Sequence, residues 1–70
     1  MEYLAIIEKT DRNYSAYLPD VPGCIATGSN QDEVLENLKK ALSLHLEGLR
    51  EDGLPIPQPL AKSTYVTASY

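Results

Sequence analysis

Seventy residues with 43% hydrophobic and 23% charged content describe one small globular domain, 1–70, and exclude a disordered chain. A net charge of −4 with no cluster of Lys and Arg argues against direct nucleic-acid binding. One cysteine and one histidine exclude an internal disulfide and leave no metal cluster, so no cofactor is expected.

No stretch approaches the ~20 apolar residues of a membrane helix, and the N-terminus lacks a basic signal-peptide region. A cytoplasmic protein with no membrane association is expected. A chain this short buries only about 60% of its unfolded surface, so natural domains of this size lean on disulfides, metals or association. Association remains: a homodimer or homotetramer, or a different protein. The acidic balance suits a basic partner, whose encounter it speeds by long-range attraction.

Glu2 to Lys9 reads as the first strand. Its Tyr3-Leu4-Ala5-Ile6-Ile7 run is apolar on both sides of a strand, the pattern of a strand interior to a sheet. Thr10-Asp11-Arg12-Asn13 supplies a polar turn. Asn13 to Leu18 reads as a second strand, with Tyr14, Ala16 and Leu18 alternating against Ser15 and Tyr17. The two form an antiparallel hairpin. In Pro19-Asp20-Val21-Pro22-Gly23, Pro22 fits the first corner of a turn and Gly23 the positive φ that follows. A short strand, Cys24 to Thr27, leads to Gly28.

The spacing then predicts a helix from Gln31 to Asp52. Asn30 and Glu33 have capping-box spacing, with Ser29 and Asp32 as a competing frame. Asp32, Glu33 and Glu36 place negative charge at the positive helix start. Val34, Leu35, Leu38, Ala41, Leu42, His45, Leu46 and Leu49 form a wide apolar stripe. Gly53 ends the helix in a left-handed conformation, and Pro55 prevents its resumption.

Leu54 to Pro59 is an extended connector, and Thr64 to Ala68 reads as a last strand. The predicted fold class is α+β in the order β-β-β-α-β. A right-handed crossover gives a mixed four-stranded sheet, order 3-2-1-4, with one helix on one face. That single helix leaves the other face for a partner.

Catalytic signals are weak. His45 lies on the helix stripe without a Ser or Cys at a convincing spacing, and reads as a packing residue. Cys24 has no base beside it and reads as a small buried hydrophobe. No nucleophile elbow or glycine-rich phosphate loop occurs. Asp32, Glu33 and Glu36 read as helix-start charge. Tyrosine is the sole aromatic type, with Tyr3, Tyr14, Tyr17 and Tyr65 on predicted strands. Tyrosine joins apolar area to a polar tip, so these serve sheet packing or an interface. Tyr3, Ala5 and Ile7 are expected to align with Tyr17 on the face away from the helix.

The segment Asp20-Val21-Pro22-Gly23-Cys24-Ile25-Ala26-Thr27-Gly28 reproduces the D-x-P-G-C-x-x-x-G signature of the HicB-like antitoxin family. The match continues through Asp32-Glu33, the Leu-rich helix, Glu51-Asp52-Gly53 and Pro55-x-Pro57, so the chain resembles that family over nearly its whole length. Asn30 stands where many relatives carry Thr or Ser, one good cap for another. The resemblance implies a partial RNase H-like (HicB-like) fold without RNase activity. It also implies binding to a HicA-type toxin, a small basic double-stranded-RNA-binding-like ribonuclease with a catalytic histidine. Masking of the toxin's active surface would stop mRNA cleavage.

Longer members carry a C-terminal DNA-binding domain; none is expected here, nor is autorepression by this chain alone. The expected function is therefore a non-enzymatic antitoxin. Its interface to partner or self falls on Tyr3, Ala5, Ile7 and Tyr17, with Glu8 and Asp20 as electrostatic contacts. Asp20, Pro22, Gly23, Cys24, Gly28, Asn30, Glu33 and Gly53 are assigned to architecture. The alternatives are an orphan oligomeric scaffold or small-ligand sensor of the same fold, and a small metal-dependent hydrolase.

Overall fold

A hairpin starts the fold in the computed structural model, which describes residues 1–69. β1 (Ile6–Lys9) and β2 (Tyr14–Tyr17) are antiparallel, joined by the Thr10–Asn13 turn. In that turn Thr10 donates its backbone N–H to the Asn13 carbonyl at 2.8 Å. β3 (Ile25–Gly28) pairs antiparallel with the other edge of β2. α1 (Gln31–Glu51) then packs across β3 and β2.

β1 is shorter than the Glu2 to Lys9 strand expected. The register sets Ile6 opposite Tyr17, so continuing it would bring Leu4 opposite Pro19, where the facing strand turns away and offers no N–H.

The sheet order β1-β2-β3 agrees with three places of the expected 3-2-1-4. The fourth place is a correction. Thr64 to Ala68 pairs with no strand in the single chain, and the sheet among the described residues is wholly antiparallel instead of mixed. After α1 the chain is held elsewhere: the Tyr3 hydroxyl donates to the Pro57 carbonyl at 2.6 Å. Asp20 then binds the backbone at Leu60 and Ala61. Pro55, Pro57 and Pro59 also deny this stretch ladder donors.

The core lies between the sheet and the first half of α1. Ala16, Leu18, Val21, Cys24, Val34 and Leu38 are buried, with Tyr3, Ala5, Ile7, Tyr14, Ala26, Ala41 and Leu42 packed around them. Six buried side chains make a small core, as expected for this length. A four-residue strand is about 13 Å long, whereas the 21-residue helix runs about 31 Å. The helix therefore overshoots the sheet, and His45, Leu46 and Leu49 stay only half-buried.

Candidate functional site: the open sheet face

Cross-strand register decides which residues share a face. Ile7, Ala16 and Ala26 lie directly opposite one another and point into the core beneath α1. Ile6, Tyr17 and Ile25 form the neighbouring row, which by the period of two points away from the helix. Glu8, Ser15 and Thr27 form a second outward row, richer in polar groups. Tyr17 is 38% exposed and Ile25 61% exposed, with Ile6 half-buried, so α1 leaves the outward apolar row open in the single chain.

This register corrects the expected interface set. Tyr3, Ala5 and Ile7 do not align with Tyr17. They pack against the core on the helix side, because Ile7 pairs with buried Ala16 while Tyr17 pairs with Ile6. Tyr17 and Glu8 remain on the outer face. Sequence reasoning missed Ile6 and Ile25. The signal was present, since a four-residue turn closing Lys9 against Tyr14 fixes every later pair.

Asp20 is not a free charged contact either. One of its carboxylate oxygens accepts the Leu60 N–H at 3.0 Å and the Ala61 N–H at 2.9 Å. It ties the C-terminal segment to the β2–β3 loop.

That loop is two successive turns. The Val21 N–H donates to the Leu18 carbonyl at 3.0 Å, and the Cys24 N–H to the Val21 carbonyl at 3.1 Å. In the second, Pro22 takes the first corner and Gly23 the next, with φ +83°. Val21, between the turns, is fully buried and plugs the sheet end. Cys24 is buried beside it, and burial pushes its thiol pKa up. A raised thiol pKa opposes thiolate formation, which disfavours nucleophilic chemistry. Tyr17 to Pro19 and Val21 to Ile25 line a shallow concavity of about 390 Å³.

The helix is set by its ends. The Glu33 N–H donates to Asn30 Oδ1 at 2.8 Å, and the Glu33 carboxylate accepts from the Ser29 N–H at 2.8 Å and the Ser29 hydroxyl at 3.0 Å. Those bonds from Ser29 hold the Glu33 carboxyl below its ordinary pKa. At the other end the Leu54 N–H reaches the Leu49 carbonyl and the Gly53 N–H the Arg50 carbonyl, a Schellman closure with Gly53 at φ +70°. The Asn37 side chain donates to the Thr27 carbonyl at 2.8 Å, tying helix to β3. His45 stays half-buried on the overshooting half of α1.

No helix among the described residues is long and apolar enough to cross a membrane. An open apolar row rimmed by polar side chains suits contact with another protein surface.

Comparison with known proteins identifies the family. The family described as HicB-like antitoxin of bacterial toxin–antitoxin system matches residues 3–69. A Thermoplasma acidophilum protein of the UPF0150 group is 35% identical over 69 residues, covering 97% of this chain and 100% of its own. An uncharacterised protein of Haemophilus phage HP1 is 38% identical over 66 residues, 94% of this chain, and this chain spans only 50% of that relative's length. A solved HicA3 and HicB3 toxin–antitoxin complex contains a chain superposing with TM-score 0.72 at 32% identity, over 86% of this chain and 70% of that one. The match along nearly every residue, on the same β-β-β-α frame, means that the chain belongs to the HicB-like antitoxin family.

Proposed function

We propose that this chain is an antitoxin that neutralises a HicA-type ribonuclease toxin by covering the surface with which that toxin cuts mRNA. The observation that carries this reading is the apolar row Ile6–Tyr17–Ile25, with Tyr17 and Ile25 exposed, on the sheet face that α1 does not cover. Apolar and aromatic side chains at the centre of a patch, ringed by polar ones, are what a stable protein interface needs. Glu8 lies in the next row, and the net charge of −4 gives long-range attraction to a basic toxin. The family membership and the toxin-bound relative support the same partner class.

In this reading the chain does no chemistry of its own and acts in the cytoplasm, where mRNA is. The partial RNase H-like frame implied by the resemblance serves as a platform for contact. The small core and half-buried helix stripe favour a homodimer or homotetramer.

The test is co-expression with a small basic HicA-type toxin, taken from a neighbouring reading frame. Restored growth with a co-purifying complex supports the proposal, and unchanged toxicity overturns it.

A second reading, a small-ligand sensor of the same fold, has one observation in its favour: the concavity of about 390 Å³ between Tyr17 and Ile25. It is shallow and almost wholly apolar, without the convergent polar groups that orient a small molecule. The protein partner fits the face better.

A further inference from the structure

β1 is an edge strand that ends in exposed Glu8 and Lys9, but its first half and the residues leading into it have the composition of a central strand. Leu4, Ala5, Ile6 and Ile7 are apolar toward both faces and all remain half-buried. Such two-sided apolarity belongs to strands with neighbours on both edges, yet among the described residues β1 pairs only with β2. An open edge of this kind is a template for another strand.

The same chain carries an unused strand. Thr64, Tyr65, Val66 and Thr67 have high β-propensity, and no partner holds them: Tyr65 is fully exposed and Val66 is 88% exposed. The chain passes Tyr3, just before β1, where Pro57 is bound, but its last anchor before this segment lies elsewhere. Asp20 grips Leu60 and Ala61 at the β2–β3 loop, on the far side of β1 from its open edge. The segment therefore leaves the body. The radius of gyration is 14.0 Å, whereas a compact chain of this length has about 11 Å, and the long axis reaches 49 Å.

We propose that residues 62–69 of one copy pair with the outer edge of β1 in a second copy, and reciprocally, in a strand-exchanged homodimer. Each chain has one spare strand and one open edge, so a two-fold pair fills both and leaves neither exposed. The 3-2-1-4 order is then completed by the partner copy. Eight residues extend about 26 Å, enough to run the full length of a four-residue strand. The segment has no acidic residue and brings Lys62, which can meet Glu2 before β1 or Glu8 within it, the latter beside Lys9. This makes specific the self-association in the function proposed above, but it does not rest on toxin binding.

The test is the mass of the full chain by light scattering, combined with amide hydrogen exchange. The expected result is the mass of two chains, with protected amides across 64–68. Alternate N–H groups of a strand point to opposite edges, so the double variant Tyr65→Pro/Val66→Pro removes a ladder donor in either register. It should weaken the dimer at least tenfold while the helical circular dichroism is unchanged, because these residues support nothing in the single chain. A dimer of undiminished affinity in the variant overturns the proposal in favour of another face. A single-chain mass for the wild type overturns it too; protected 64–68 amides would then mean pairing with the chain's own β1. Growth rescue reports on toxin masking alone, so the two proposals fail separately.

Discussion

A Cβ on Gly28 would stand 2.5 Å from the Val34 amide nitrogen and 2.8 Å from its Cα. β3 and the first turn of α1 meet there backbone to backbone, which seats buried Val34 over the sheet. The obstacle is main chain and cannot swing aside. Gly28→Ala should therefore cost stability at the upper end of the about 1–3 kcal/mol typical of overpacking. Gly48 is the control: it lies inside α1, where an added Cβ would have nothing within 4 Å. Gly48→Ala should thus gain about 0.5–1 kcal/mol from helix propensity alone. Urea denaturation of both variants checks the pair, and shifts of the same sign would refute the close approach.

The N-terminal cap of α1 makes a pH-dependent prediction. Bonds from Ser29 depress the folded-state pKa of Glu33 below its ordinary value of 4.5. A depressed carboxyl stabilises the fold above its unfolded pKa, and that contribution is lost as pH falls through the lower folded value. The wild type should thus lose stability below pH 4.5 more steeply than Glu33→Gln, which cannot titrate. Asn30→Ala should cost about 1 kcal/mol at every pH, since it removes the acceptor for the Glu33 N–H. Urea midpoints measured from neutral to acid pH separate the two effects.

Local chemistry is legible in the sequence and long-range partnership is not. Asn30, Glu33, Pro22, Gly23 and Gly53 act through neighbours within a few residues, so their roles follow from residue type and spacing. The face of β1 follows only once the turn is known to close Lys9 against Tyr14, because an error of one residue exchanges the two sides. Asp20 reads as a free charge because its partners lie 40 and 41 residues away, and nothing in the local pattern points to them. Thr64 to Ala68 shows the same limit: composition gives a tendency to pair but does not name the edge.

Cys24 should be chemically quiet in the folded protein. It is 4% exposed and burial raises its pKa, so both access and thiolate fraction are low at neutral pH. A disulfide reagent should label it slowly in buffer and rapidly once urea unfolds the chain. Equal rates in both conditions would mean that the β2–β3 loop opens freely, contrary to the nested turns that bury Val21 and Cys24.

The outer row makes the sharpest claim about function. Ile25 is 61% exposed and stands apart from the buried cluster, so Ile25→Asp should cost only about 1 kcal/mol, from strand propensity and its pairing with Tyr17. In a protein interface the same change places an unpaired carboxylate within an apolar patch. Truncating a central anchor there costs about 2 kcal/mol, roughly thirtyfold in Kd, so Ile25→Asp and Tyr17→Ala should each weaken toxin binding by that order. Glu8→Lys acts through charge instead. It should slow association, with a deficit that shrinks as salt screens the attraction, and leave dissociation nearly unchanged. Ile7→Val, on the helix side, should lower stability by about 0.5–1.5 kcal/mol and leave binding by the folded protein intact. Calorimetry and stopped-flow binding with the purified toxin distinguish these outcomes. Equal loss of affinity from Ile7→Val and Ile25→Asp would show that contact does not run through the open face.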